Sequence, residues 1–350
     1  MKRTLLAAAA LLAIAAPVAA QPKATGKWAI AIHGGAGVIE RKDLDPATEA
    51  AYRAALEQAV AEGSRVLEGG GSSLDAIEAV IRIMEDDPLF NAGRGAVFST
   101  EGRNELDASI MDGATLKAGS VAGVLTIRHP ISLARAVMEK SPHVMMVGAG
   151  AEEFARTQGL ETVEPSYFFT ERRWQSLVKL LTERGDPIPT RPAGAPQPSA
   201  GSMRAPLDEK KFGTVGVVAL DQAGNVAAGT STGGTTGKRW GRVGDAPIIG
   251  AGTYASNESC AVSATGTGEY FIRLTVAREI CALVQYRGLS LQKAADEVIQ
   301  TRLTALKGDG GAIALTPAGD IAFSMNTSGM YRGAAAWNRP AKVAIFADEK

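Results

Sequence analysis

Thr214 follows Gly213 at the end of a proline-rich, charged tract and opens an apolar run, GTVGVVAL over residues 213–220. A threonine hydroxyl is a weak nucleophile until a base takes its proton. If the Gly213–Thr214 bond is cut, Thr214 becomes an N-terminal residue carrying both the hydroxyl and an amine that can act as its base. A free α-amine titrates at about 7.7–8.0, so this chemistry needs no histidine near neutral pH. A β-branched residue at a strand start is also what strand propensity alone selects. The functional reading gains weight from the flexible approach to Gly213, the apolar strand, and two further hydroxyls, Thr232 and Thr265, at strand ends where they can meet Thr214.

Other motifs compete for the chemistry and fail on order or spacing. GTSTG at 229–233 matches the G-x-S-x-G nucleophile elbow, and HGGAG at 33–37 resembles an oxyanion loop. That fold needs a histidine after the serine, and the last of the three histidines, His143, precedes Ser231. GGTTGKR at 233–239 imitates a phosphate loop, but Lys238 is followed by Arg239 rather than Ser or Thr, and HGGAG lacks the third glycine of a dinucleotide fingerprint. His33, His129 and His143 are far apart in sequence, and no Cys/His group has metal-ligand spacing.

The chain that must position these groups has 350 residues, 45% hydrophobic, enough for one large core or two modest ones. Acidic and basic residues balance at 37 each, which leaves no electrostatic footprint for nucleic acid or an anionic membrane and points to a small-molecule partner. Lys2 and Arg3, an apolar run over 5–16 and small residues at 18–20 read as an export signal spanning 1–20, so the mature protein is expected to be soluble and periplasmic. Export permits a disulfide between Cys260 and Cys281, but the apolar runs around both favour two buried thiols.

In chain order, KWAIAIH at 27–33 reads as a strand and HGGAG as a glycine turn after it. Helical spacing over 46–67 ends at the glycines of 69–71, and Ser72 or Ser73 caps a second helix with Asp75 in its first turn. A loop over 86–95 precedes strands at 105–111 and 120–127, a helix at 131–139, a buried strand at 144–147, a helix from 152 and another over 167–184. Residues 185–206, with prolines at 187, 189, 192, 196, 198 and 206, read as a linker. The strand from Thr214 pairs back with 225–230; 247–251 and 260–264 are strand-like. Helices follow over 269–286 and 290–306, then a hairpin at 311–316 and 321–325 and a last strand at 341–346. Strands with helices on two sides predict a layered α/β sandwich.

HGGAG, DPLFNAGRGAVF, ELDASIMDG, AGSVAGV, SPHVMMVG, GTVGVVALD, TSTGG, GRVGDAPIIGAGTYA and SATGTGE occur in this order. Together they resemble the plant-type L-asparaginase/isoaspartyl peptidase family of N-terminal nucleophile hydrolases, over nearly the whole chain after the leader. The resemblance implies a four-layer αββα sandwich and self-cleavage between Gly213 and Thr214. The α-chain would be 21–213, including the linker at 185–213, and the β-chain 214–350, together one folded domain. It implies Thr214 as nucleophile, Thr232 as its polarising neighbour, Thr265 and the Gly266 N–H as oxyanion hole, Arg242 and Asp245 as clamp for the substrate's carboxylate and ammonium, Gly268 as a backbone contact, and Asn91 in support. No cofactor is implied for catalysis. A structural sodium ion is implied on main-chain oxygens of Met84, Glu85, Asp87, Phe90, Ala92 and Arg94, and a homodimer of αβ units as the assembly. The implied substrates are β-aspartyl dipeptides and L-asparagine. Glycosylasparaginase, whose members usually carry Asp before the nucleophile, is the nearest alternative; a periplasmic solute-binding protein is a third reading, which predicts an uncleaved chain.

Overall fold

The computed structural model describes residues 26–196 and 213–349; the leader read at 1–20 and residues 197–212 of the proline-rich tract lie outside the described residues. Strand β1 (Ala29–Gly37) is followed by helices α1 (Pro46–Glu68) and α2 (Ser73–Asp86), strands β2 (Leu106–Asp112) and β3 (Ala118–Val124), α3 (Pro130–Lys140), β4 (Met145–Val147), α4 (Gly148–Thr157) and α5 (Glu171–Arg184). The rest comprises β5 (Val215–Leu220), β6 (Val226–Thr232), β7 (Thr253–Ala255), β8 (Ala261–Gly266), α6 (Gly268–Leu274), α7 (Val276–Arg287) and α8 (Leu291–Asp296), which runs on as a π-helix over Glu297–Leu303. Strands β9 (Gly310–Leu315), β10 (Ile321–Met325), β11 (Gly329–Ala336) and β12 (Arg339–Phe346) complete it.

The strands form an eight-stranded sheet, β12-β11-β1-β5-β6-β2-β3-β4, and a four-stranded sheet, β10-β9-β8-β7. Because strand side chains alternate between faces, each central strand feeds two cores. Ile30 and Ile32 of β1 and Val215, Val217 and Ala219 of β5 pack with Leu56 and Val60 of α1 and Ile77 and Ile81 of α2. Their neighbours Ala29, Ala31, Val218 and Leu220 pack with Ala261, Ile313 and Leu315 of the smaller sheet. The other face of β8 and β9, through Val262, Ala264, Ala312 and Ala314, meets Val276 and Ile280 of α7 and Ala294 of α8. The protein is thus a mixed α/β fold.

Local chemistry sets the element boundaries. Asp45 accepts from the N–H groups of Ala47 and Thr48, with Pro46 as the first residue of α1. Ser72 and Asp75 form the reciprocal capping box that starts α2. Several expectations need correction. HGGAG is not a turn: it continues β1, with a register shift between His33 and Ala36. The strand expected to be buried at 144–147 is the sheet's edge, β4, and Val144, Met145 and Val147 are exposed; an apolar run alone does not tell an edge from a centre. The single helix expected over 269–286 breaks at Thr275, which has φ of 49°. Residues 247–251 form turns, and β11, interrupted by glycine and arginine, was missed.

The cysteines are not thiols. Cys260, just before β8, and Cys281, on α7, form a disulfide with Cα atoms 5.3 Å apart. Burial tendency could not reveal this, because the pairing arises when α7 packs across the outer face of the small sheet.

Candidate active site

The β5–β6 hairpin brings its two outer threonines together. Regular pairing runs from Leu220↔Val226 to Val215↔Ser231, so the ladder leads to Thr214 and Thr232, one step further out. Thr214 is half-buried just before the first strand residue, and its hydroxyl donates to Thr232 Oγ1 at 3.1 Å. Thr232 is buried, and its Oγ1 also accepts from the Gly234 N–H at 3.0 Å.

The bond before Thr214 lies in a crowded place. Gly213 has φ of 124°, and a Cβ added to it would lie 2.3 Å from Asn91 Cβ; one added to Gly35 would lie 2.7 Å from Gly213 Cα. Glycine at 213 is therefore required both by conformation and by contact. Asn91 is buried and braces the same corner: its Nδ2 donates to Gly234 O at 2.8 Å, its Oδ1 accepts from Val97 N–H at 2.9 Å, and its carbonyl accepts from Gly233 N–H at 3.1 Å. It holds the glycines after Thr232.

Thr265 and Gly266 are the last residues of β8, so Thr265 stands at a strand end as expected, and the helix after them, α6, has only seven residues. Thr265 is buried, and its Oγ1 accepts from Ala36 N–H at 3.4 Å, which ties the end of β8 to the glycine-rich end of β1.

Arg242, Asp245 and Gly268 converge on one point. A Cβ on Gly268 would lie 2.9 Å from both Arg242 Nη2 and Asp245 Oδ1, and one on Gly234 would lie 3.5 Å from Arg242 Nη1, so the guanidinium approaches the Thr232 end of the hairpin. Arg242 is held in a fork by Glu269, with Nε and Nη2 at 2.9 and 3.0 Å from its carboxylate oxygens. That pairing keeps Glu269 below the usual carboxylate range. Asp245 is buried, and the burial pushes its carboxyl up to about 7; Arg242 opposes the shift, while Glu269 and Asp107 add to it.

Two buried groups escaped the sequence reading. Asp107 lies opposite Thr232 in the β2–β6 ladder, is fully buried, and accepts the Gly123 N–H at 2.8 Å. Its signal was a charge inside an apolar strand. His33, dismissed with the other histidines because no partner was near in sequence, donates from Nδ1 to the Thr214 carbonyl at 3.0 Å and faces Ser263 Oγ at 2.9 Å from Nε2. Burial pushes its pKa down to about 3, so the ring is neutral at any working pH.

The residues expected to hold sodium span the end of α2 and the loop after it. A Cβ on Gly93 would lie 2.3 Å from Glu85 O and one on Gly95 1.9 Å from Phe90 O, so glycine lets the loop pass close to these main-chain oxygens, whereas Asp87 O and Ala92 O accept from Phe90 and Gly95 N–H groups. An oxygen-only, main-chain donor set suits a hard cation. Oε1 of the Glu85 side chain accepts from Ser231 Oγ at 2.6 Å and Ile131 N–H at 3.1 Å. Among the described residues there is no group of three or more His, Cys, Asp or Glu placed to hold a metal.

A family profile described as Asparaginase matches residues 26–345, and the chain belongs to that family. As a member it is a hydrolase. It is 51% identical over 308 residues to a protein of Escherichia coli (strain K12) named isoaspartyl peptidase, covering 88% of this chain and 92% of the relative. It is 43% identical over 329 residues to a probable isoaspartyl peptidase/L-asparaginase 2 of Arabidopsis thaliana, covering 92% and 99%. It is 41% identical over 303 residues to a plant-type L-asparaginase of Pyrococcus furiosus, covering 86% and 94%.

Proposed function

We propose that the protein is a self-processing threonine amidohydrolase that releases L-aspartate from β-aspartyl dipeptides and from L-asparagine. The observation that carries this reading is the Thr214–Thr232 hydroxyl pair at 3.1 Å, set directly after a glycine that contact and conformation require. Cleavage between Gly213 and Thr214 frees the Thr214 amine. The hydroxyl then attacks the side-chain amide carbonyl and passes its proton to that amine, while the oxyanion is met by the Thr265 hydroxyl and the Gly266 N–H. Collapse expels ammonia or the dipeptide's second residue, which takes the proton back. Water, deprotonated by the same amine, hydrolyses the ester.

Arg242 grips the substrate's α-carboxylate and Asp245 its ammonium. Both grips act on the aspartyl end, which leaves the leaving group free to vary. The three cores are read as the interfaces of a four-layer αββα sandwich, with export by residues 1–20, an αβ homodimer, and sodium on the loop that carries Asn91 as further parts of the proposal. The sodium would only hold that loop.

Glycosylasparaginase is the second reading, and a specific contact disfavours it. The Asp that usually precedes the nucleophile there would place its Cβ 2.3 Å from Asn91 Cβ in this chain. A Thr214→Ala variant tests the main proposal: it should remain a single polypeptide and hydrolyse neither L-asparagine nor a β-aspartyl dipeptide. Retained turnover would refute the assignment.

A further inference from the structure

The space between the two sheets is lined mostly by alanine, valine and leucine, yet a string of hydroxyls crosses it. Ser109 of β2 lies 2.8 Å from Thr253 of β7; Thr253 lies 2.5 Å from Thr230 of β6, and Thr230 2.7 Å from Ser263 of β8. All four are buried. Ser263 then meets His33 Nε2 at 2.9 Å, and His33 Nδ1 ends the string on the carbonyl of Thr214 at 3.0 Å.

The directions of these bonds follow from one fact: a carbonyl can only accept. The Nδ1 must therefore carry the proton, and a neutral ring then has a bare Nε2 that accepts from Ser263. Ser263 in turn accepts from Thr230, Thr230 from Thr253, and Thr253 from Ser109, whose proton is shared with Ala246 O at 2.6 Å. Each hydroxyl has a single proton, so from His33 to Thr253 the Thr214 carbonyl imposes this orientation, and at the far end Thr253 and Ala246 O compete for the Ser109 proton.

Room for the imidazole is provided in the strand that carries Thr214. His33 pairs with Gly216 across β1 and β5, and a Cβ on Gly216 would lie 2.3 Å from His33 Nε2 and 1.9 Å from Ser263 Oγ. The glycine two places after Thr214 is thus the gap through which His33 reaches the Thr214 carbonyl.

We propose that His33 is a positioning residue for Thr214. Its Nδ1–H fixes the rotation of the Thr214 carbonyl about the Cα–C bond, and so fixes where the amine and hydroxyl on the same Cα point once residue 213 is released. The proposal rests on the reading of Thr214 as nucleophile and base. An N-terminal residue needs such a hold because the cut removes the chain on its other side.

The test compares His33→Asn, whose side-chain N–H can replace Nδ1–H, with His33→Phe, which has no donor, using fully cleaved protein and L-asparagine as substrate. The expected result is a kcat within about 3-fold of the parent for Asn, and a fall of about 10²-fold for Phe with KM little changed, the size expected of a small misplacement of reacting groups. Gly216→Ala, which displaces the ring, should behave like Phe. If Phe and Gly216→Ala keep the parent kcat, or Asn falls as far as Phe, the proposal is overturned. A nitrogen-15 spectrum of the parent supplies an arm independent of whether the variants fold: it should show a neutral ring protonated at Nδ1, and a ring protonated at Nε2 overturns the proposal. Failure of the underlying reading looks different, because then the parent itself is uncut, or Thr214→Ala remains active.

Discussion

At the scale of single residues, Asp245 gives the clearest pH signature. With its carboxyl pushed up to about 7, the free enzyme carries the acid form below neutrality, whereas an ammonium ligand needs the carboxylate. The expected outcome is a kcat/KM that falls as pH drops below about 7, because that ratio reports the free enzyme's groups; the profile for L-asparagine checks it. The same shift bears on stability with a definite sign. The folded state holds this proton between the reference value of 3.8 and about 7, where the unfolded chain has lost it. Stability therefore declines as pH rises through that window, and Asp245→Asn should flatten the decline in thermal melts between pH 4 and 7, pH values chosen to span the shift. Arg242→Lys keeps the charge but loses the fork held by Glu269. Loss of a charge-assisted hydrogen bond of about 1.5–3 kcal/mol predicts roughly a 10- to 100-fold lower kcat/KM in steady-state assays.

At the scale of elements, the small sheet and its helices are stapled by the disulfide between Cys260 and Cys281. It closes a loop of sequence separation 21, for which chain entropy gives about 3 kcal/mol. Cys281→Ala should lower the melting temperature, and the parent should be two hydrogens lighter than its reduced form by intact mass. What was legible in the sequence at this scale was whatever had a local cause. The capped start of α2 was visible because Ser72 and Asp75 act within one turn, and the span of α1 was visible because its apolar spacing is local, although its Asp45 cap was not read. The β5–β6 hairpin was visible because its turn residues separate two apolar runs. The disulfide, the edge position of β4 and the role of His33 were not, since each depends on an element distant in sequence packing alongside. The proposed clamp comes only from the resemblance: the spacing of Arg242 and Asp245 fits a surface ion pair equally well, and the convergence of both on Gly268 is visible only in the folded chain.

At the scale of the whole molecule, strand order decides what a cut before Thr214 would do. In the order β12-β11-β1-β5-β6-β2-β3-β4, β1 lies between β11 and β5, and β2 lies beside β6. Strands from before and after residue 213 therefore interleave in one sheet, and the buried faces of both halves share cores. Cleaved protein is expected to elute as one species in native size-exclusion chromatography and to separate into two fragments only in denaturant. The charge balance of the chain and the small, polar convergence of Arg242 and Asp245 suit a compact zwitterion. The central claim is that the Gly213–Thr214 bond is cut to expose Thr214, and a mass spectrum of the purified protein with N-terminal sequencing of its smaller fragment tests it most directly. The account predicts two chains, the smaller beginning Thr214-Val215-Gly216-Val217-Val218; a persistent single chain that hydrolyses L-asparagine, or a fragment beginning elsewhere, would contradict it.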